Sequence, residues 1–206
     1  MIKDDLVLIR DFLTERQMDL VKKEIRRLQD EVTQEYIPKE DLYGKPDGAI
    51  SRHRCYLDAY YEARRDESDI LRIMQDMLFS DRVYEIVEKI NCYSMLTMRH
   101  SSTHETQLTS YQKNDRYYWH RDNDARRIRF LNYALYIQFS HKAKGGELLI
   151  SDDIREPFKP AITIKPEHNL IAIFPSQYMH KVNEVQTYSD NILDGRITIN
   201  GHVGFK

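Results

Sequence analysis

Tyr111-Gln-Lys-Asn-Asp-Arg-Tyr117-Tyr-Trp-His120-Arg-Asp122 ends in a histidine and a carboxylate separated by one residue. In an extended chain successive side chains alternate between faces, so positions i and i+2 point the same way. Read as a strand, the segment delivers the imidazole of His120 and the carboxylate of Asp122 side by side into one space. Two such ligands joined by one distant histidine form a facial triad, the arrangement that holds non-haem Fe(II) with coordination positions left open. With eight histidines and many acids in the chain, a bare His-x-Asp arises readily by chance. Its meaning depends on what the remaining sequence supplies.

The chain has 206 residues, enough for one domain with a substantial buried core. A hydrophobic share of 41% and a charged share of 31%, with few glycines or prolines, exclude a fibrous or disordered protein. The formal charge of -2 provides no global attraction to nucleic acid or to an anionic membrane. Cys55 and Cys92 form neither a Cys-x-x-Cys motif nor a disulfide framework, which predicts a reducing, cytoplasmic setting. The early acids Asp4 and Asp5 argue against a signal peptide, and the densest apolar run, Leu170 to Phe174, is too short to cross a bilayer. Nothing in the sequence indicates an oligomer.

Upstream of the opening segment, Leu6 to Ile9 reads as a short apolar strand. Thr14 and Gln17 have capping-box spacing, and Met18, Val21, Ile25 and Leu28 recur every three or four residues, so an amphipathic helix is expected there. Residues 34 to 66 contain Pro38, Gly44, Pro46 and Gly48, which break periodicity, among Tyr36, Tyr43, Tyr56, Tyr60 and Tyr61. Such a long irregular segment is expected to be either an ordered flap or docking surface, or an extension packing its tyrosines on the outside of the core. Ser68 and Ser80 are placed as N-caps of two helices. Their apolar faces are Ile70, Leu71, Met74, Met77 and Leu78, then Val83, Ile86, Val87 and Ile90.

From Cys92 onward the texture is β. The expected strands are Ser94–His100, Glu105–Gln112, Ile128–Ser140, Glu147–Ser151, Ala161–Ile164, Asn169–Phe174, Lys181–Gln186 and Gly195–Phe205, with turn signals such as Lys144-Gly145-Gly146 between them. Helices followed by about eight short strands predict an α+β protein, a double-stranded β-helix (jelly roll) with an N-terminal helical layer packed on one sheet. A single domain is expected over 1–206, with helical support and a tyrosine-rich flap in 1–93 and the jelly-roll core in 94–206.

Within Ile128–Ser140, Leu131, Tyr133, Leu135, Ile137 and Phe139 share one parity, and Asn132, Ala134, Tyr136 and Gln138 share the other. The first face is expected against the helices and the second in the cavity of the roll, making Tyr136 a pocket residue and Tyr133 a structural one. Further on, the buried strand ends at Pro175 and a loop delivers His180, which a jelly roll returns beside the first hairpin. His180 is the expected third ligand. His53, His141 and His168 lie in polar stretches and are expected at the surface. His100 and His104 are four apart, a spacing that binds metal on a helix, and this stretch does not read as helical. Arg196 and Thr198 share a strand face, where a guanidinium and a hydroxyl can grip a carboxylate or merely sit at the surface.

Taken in order, these parts resemble the Fe(II)- and 2-oxoglutarate-dependent dioxygenases, and within them the prolyl 4-hydroxylase-like branch. That branch has a Tyr-x-x-Gly-x-x-Tyr-x-x-His-x-Asp pattern, to which Tyr111, Asn114, Tyr117, His120 and Asp122 are similar. Ala134-Leu-Tyr136-Ile137, Gly145-Gly146-Glu147-Leu148, Phe174-Pro175 through His180-Lys-Val182, and Arg196-Ile-Thr198 follow in the family's order, over roughly residues 94 to 206. The resemblance implies that His120, Asp122 and His180 hold Fe(II). It implies that Arg196 and Thr198 bind the far carboxylate of 2-oxoglutarate, with Tyr136 and Tyr111 assisting. O2 is the implied second co-substrate, and ascorbate is compatible as an accessory reductant. The implied reaction hydroxylates a C–H bond, of a prolyl residue in a peptide or of a proline-like small molecule, and releases succinate and CO2. Neither a membrane nor a nucleic acid is implied as partner.

The chain departs from the family at several points. Asn114 stands where glycine is usual, and asparagine tolerates positive φ. Arg196 follows His180 by sixteen residues, a longer gap than the family's, with Tyr188 to Asp194 as an apparent insertion. His202 occupies the place of a second arginine in the nucleic-acid dealkylases, and Asp122 is retained where the halogenating members lack a carboxylate. Two other readings stay open: a cupin-type metal-binding jelly roll that does not use 2-oxoglutarate, and a degenerate binding module that kept the fold. Lys113, Arg116, Arg121, Arg126, Arg127 and Arg129 around the motif form either a basic rim for an acidic substrate or an ordinary solvated face.

Overall fold

The computed structural model describes residues 5–39, 48–90, 101, 103–122, 129–151, 153 and 155–204. Its strands are β1 (Val7–Ile9), β2 (Thr33–Lys39), β3 (Gly48–Tyr56), β4 (Thr103–Tyr111), β5 (Tyr117–His120), β6 (Arg129–Ile137) and β7 (Lys144–Gly145). They continue as β8 (Leu148–Ser151), β9 (Ile162–Ile164), β10 (Ile171–Pro175), β11 (Met179–Val182), β12 (Val185–Gln186) and β13 (Arg196–Gly204). The helices are α1 (Glu15–Leu28), α2 (Leu57–Tyr60), α3 (Asp69–Leu78) and α4 (Asp81–Ile90).

α1 starts where Thr14 and Gln17 close the expected capping box, the Gln17 backbone N–H donating to Thr14 Oγ1 and the Thr14 N–H to Gln17 Oε1. Its apolar stripe of Met18, Val21, Ile25 and Leu28 is buried, and each such side chain contributes about 1.5–3 kcal/mol. Glu24 is buried on the same face. It accepts from Ser68 Oγ at 2.7 Å and from the Ile70 backbone N–H at 2.9 Å, so one carboxylate ties α1 to the start of α3. Ser68 caps α3 through the Leu71 N–H, and Ser80 accepts from the Val83 N–H at the start of α4.

The major sheet has the order β1-β10-β6-β13-β4-β3-β2, the minor sheet the order β5-β11-β8-β9, and β7 pairs with β12 apart from both. The parity of β6 divides two cores as its sequence predicts. Leu131, Tyr133, Leu135 and Ile137 pack with the helices, while Ala134 and Tyr136 meet Leu148, Ile150 and Ile164 of the minor sheet. The two facing sheets make a jelly roll, and the helix layer covers the outside of the major one. Among the described residues no helix is long and apolar enough to cross a membrane.

The segment from residue 34 is not irregular as expected. β2 and β3 pair as an antiparallel hairpin, and β3 joins the sheet beside β4. With β1 on the other edge, the N-terminal part of the chain contributes three strands as well as helices. This, with short pieces such as β5, β7 and β12, raises the number of strands to thirteen among the described residues. The expected strand Ser94–His100 lies outside the described residues, as does Tyr43.

Candidate functional site

β11 pairs with β5 in a register that sets His180 opposite His120. Asp122 lies just past the end of β5, and its backbone N–H donates to the Ser176 carbonyl at 3.3 Å. Ser176 is itself anchored, its hydroxyl donating to the Arg129 carbonyl at 2.6 Å. Each histidine spends Nδ1 on the carbonyl two residues earlier, His120 on Tyr118 at 2.8 Å and His180 on Tyr178 at 3.1 Å. A carbonyl can only accept, so Nδ1 carries the proton and each Nε2 is left with its lone pair.

Those two lone pairs converge on Asp122. His120 Nε2 is 3.6 Å from Asp122 Oδ1, and His180 Nε2 is 3.1 Å from Oδ2. The three donor atoms lie within 4.8 Å of one another, a cluster compact enough to share one metal ion. Tyr117 stacks on His120 at 3.7 Å, and Phe174 meets His180 edge-on at 5.2 Å, fixing the planes of both rings. Burial and then the neighbouring His180 push His120 down to about 3. Burial alone would raise the Asp122 carboxyl, but His180 and His120 beside it hold it below the ordinary carboxylate range. His120 and Asp122 are thus in the protonation states that metal binding needs at neutral pH. Two imidazoles and one carboxylate on one side of a point suit Fe(II) with open positions.

Arg196 begins β13 opposite Tyr111 of β4 and is 6% exposed. Its guanidinium carbon lies 5.0 Å from the ring centres of both Tyr111 and Tyr136. Arg196 Nε and the Tyr136 hydroxyl are buried with no hydrogen-bond partner among the described residues. An unmet buried polar group costs about 1–3 kcal/mol, and an anion in this corner would answer both. Burial raises the Tyr136 phenol, with Arg196 opposing, and leaves it a neutral donor at neutral pH. Thr198, next on the same face, donates its hydroxyl to Asn200 Oδ1 at 3.1 Å. Gly146 is needed beneath Arg196: it has φ +69°, and a Cβ there would fall 2.4 Å from Arg196 Cδ and 2.8 Å from Val185 Cγ2. Asn114 takes positive φ (66°) as expected, and its N–H donates to the Val185 carbonyl.

The triad, Arg196, Thr198 and Tyr111 line one cavity of about 650 Å³; Tyr133, expected to be only structural, also lines it, whereas Tyr136 lies behind Arg196 and is not part of the lining. The lining also includes Asn132 of β6, as the parity of that strand predicts, and residues that sequence reasoning missed: Arg52, Arg54 and Tyr56 of β3, Gln107 of β4, and Asn200 and His202 of β13. Glu35 of β2 accepts from both arginines, from Arg52 Nε at 2.9 Å and from Arg54 Nη2. Arg52 lies over the Tyr117 ring at 4.5 Å, and Arg54 over Tyr56 at 4.1 Å. The period of two in Arg52-x-Arg54-x-Tyr56 was the available signal. Asn200 and His202 follow Thr198 at the same period in a strand already expected.

Two further expectations change. His53 is not on a surface loop but on β3, its Nδ1 3.1 Å from the buried carboxylate of Asp115, which also accepts from Ser51 and from the Gln112 N–H. His104 is buried on β4 beside Thr106, whereas His141 and His168 are exposed as expected. Of the basic residues around the motif, Arg116 pairs with Glu184 and Arg129 with Glu105. Arg126, Arg127 and His100 lie outside the described residues.

Residues 106–204 match the family model of the 2OG-Fe(II) oxygenase superfamily. No curated protein matches the sequence. Among solved structures, the chain is similar to a prolyl hydroxylase from Trichoplax adhaerens in complex with a hypoxia inducible factor oxygen degradation domain peptide fragment. Identity is 14% and the TM-score 0.59, over 98% of this chain and 84% of that one. A prolyl-4-hydroxylase from Pseudomonas putida is 16% identical with a TM-score of 0.55, over 98% of this chain and 93% of that one. A 2OG-Fe(II) oxygenase family oxidoreductase from Burkholderia pseudomallei is 12% identical with a TM-score of 0.61, over 97% and 85%. At these identities the likeness is one of fold.

Proposed function

We propose that this chain, whose residues 106–204 match the 2OG-Fe(II) oxygenase superfamily, is a 2-oxoglutarate-dependent dioxygenase that hydroxylates a C–H bond of a prolyl residue in a peptide or of a proline-like small molecule, releasing succinate and CO2. One observation carries the reading: the donor atoms of His120, Asp122 and His180 converge in the same cavity that Arg196 lines with an unpartnered Nε. A cupin-type site would leave that buried guanidinium without an anion, and a degenerate module would have no use for the intact donor set. The prolyl choice is supported by the branch resemblance and by the peptide bound to the Trichoplax neighbour.

In this reading His120, Asp122 and His180 hold Fe(II), which with 2-oxoglutarate and O2 supplies the oxidising power. The protein's share is geometry and dryness. The Tyr118 and Tyr178 carbonyls keep both imidazoles in the ligating tautomer. Arg196 would take the far carboxylate of 2-oxoglutarate, joined by the Thr198 hydroxyl once it turns from Asn200, while the Tyr136 phenol would donate to it and the Tyr111 ring would wall it in. Leu148, Phe174 and Val182 line the cavity with apolar surface and keep water from the reacting end. The half-exposed Tyr56 marks the mouth through which substrate enters. A reducing, cytoplasmic setting is supported by the free, buried thiol of Cys55.

Fe(II) and 2-oxoglutarate added without oxygen should produce the visible iron-to-ketoacid charge-transfer band. A folded protein that gives no band would sink the dioxygenase reading. Prolyl peptides and free amino acids, scored by coupled succinate release, then separate the two substrate classes.

A further inference from the structure

2-Oxoglutarate at Arg196 answers one cationic corner of the cavity, and β3 supplies a second. Arg52 is 5% exposed and lines the cavity, yet only its Nε is hydrogen-bonded, to Glu35; its terminal amino groups have no partner among the described residues. Glu35 also serves Arg54, so among the described residues two guanidiniums share one carboxylate and one positive charge has no counter-ion. Elsewhere around the cavity Arg129 pairs with Glu105 and Asp58 with Arg65, and the remaining lining acids are Asp122 of the triad and the exposed Glu62. A buried charge without a counter-ion is costly, which makes this wall receptive to an anion.

The place of that anion follows from the stacking. Arg52 lies over Tyr117, and Tyr117 stacks on His120, so the same aromatic ring touches the second guanidinium and a metal ligand. The site is separate from Arg196. β3 pairs with β4 so that His53 faces Ser110, which puts Arg52 beside Tyr111, and Tyr111 faces Arg196 on its other side. Tyr111 stands between the two.

We propose that Arg52, supported by Arg54, is the specificity-determining subsite for a carboxylate on the substrate, so that the substrate is a small carboxylic acid such as an amino acid or N-acyl amino acid. This rests on the dioxygenase reading of the cavity and chooses between its two substrate classes. A single uncompensated charge suits a monoanionic carboxylate rather than a phosphate dianion. The planar pair of amino groups left on Arg52 matches two carboxylate oxygens.

The full chain loaded with redox-inert Zn(II) tests this by calorimetry, with acetate, L-proline and N-acetyl-L-proline compared against their amides, with and without saturating 2-oxoglutarate. At least one acid should bind about tenfold or more tighter than its amide, also when 2-oxoglutarate is bound. Arg52→Gln should erase that preference and leave 2-oxoglutarate affinity unchanged. Glu35→Gln, which removes the competing carboxylate, should tighten the acid. If no acid binds, if acid and amide bind alike, if Arg52→Gln keeps the preference, or if the acid is displaced by 2-oxoglutarate, the subsite is overturned. Should Arg52→Gln fail to melt cooperatively, Glu35→Gln decides: tighter binding supports the subsite, and unchanged or weaker binding overturns it. A protein that keeps the acid preference but binds no 2-oxoglutarate would refute the dioxygenase reading and leave the anion subsite standing.

Discussion

The two walls of the cavity are built on different principles. On one, β5, β11 and β13 carry His120, His180 and Arg196 at register positions deep in the roll, and backbone carbonyls fix the orientation of both imidazoles. On the other, Arg52 and Arg54 ride on a hairpin added to the edge of the major sheet and are held by one side chain, Glu35. The first wall depends on the whole roll being formed. The second carries none of the triad donors and, among the described residues, meets them only through the Tyr117 ring, which is where a site on a rigid scaffold can vary its substrate.

Substitutions should separate the walls, starting with the largest effect. His180→Ala removes one of three donors and should abolish iron binding and turnover, read as iron per chain after gel filtration. Stoichiometric iron in that variant would break the assignment of the triad. Next, Arg196→Ala should weaken 2-oxoglutarate by about 10- to 100-fold while iron is retained, as expected for a lost hydrogen bond to a charged group. An unchanged titration of the charge-transfer band would mean that the clamp is misassigned.

Gly146→Ala sharpens the contrast. Its Cβ would press on Arg196 and adopt positive φ, so stability should fall by about 1 kcal/mol or more and 2-oxoglutarate should bind more weakly. Carboxylate preference at Arg52 should survive, because Gly146 does not touch that wall. Equal loss at both anion sites would show that the walls are not independent.

A last effect belongs to neither wall. His104 is buried among the residues behind the cavity, and burial lowers it from 6.5 to about 4. Above pH 6.5 both folded and unfolded chains are neutral there. As pH falls from 6.5 toward 4 only the unfolded chain takes up the proton, so stability drops, by about 3 kcal/mol at most. Urea denaturation at pH 7 and pH 5 should show this slope in the parent and a shallower one in His104→Gln. An identical slope would clear His104 of the effect.

Much of the first wall was legible because it rests on short periods. The i, i+2 spacing of His120 and Asp122, the parity of β6, the capping box of α1 and the turn-forming Asn114 are local properties, and each appears in place. The hairpin was hidden for an equally physical reason. Pro38 and Gly48 read as breakers, yet β2 is the last strand of its sheet, and an edge strand tolerates a residue without an N–H to donate. His53 was misread with it, since a residue judged to be in a loop has no assigned face.

The sequence alone therefore determined the donor side chains, their strand parity and the order of the parts, since these depend on neighbours a few residues away. Only the tertiary structure decided that Glu35 faces Arg52, that each imidazole donates Nδ1 to a carbonyl, and that Arg196 and Tyr136 keep unpartnered atoms. Those facts come from the register between strands distant in the chain and from what burial leaves unpaired. No local pattern encodes either.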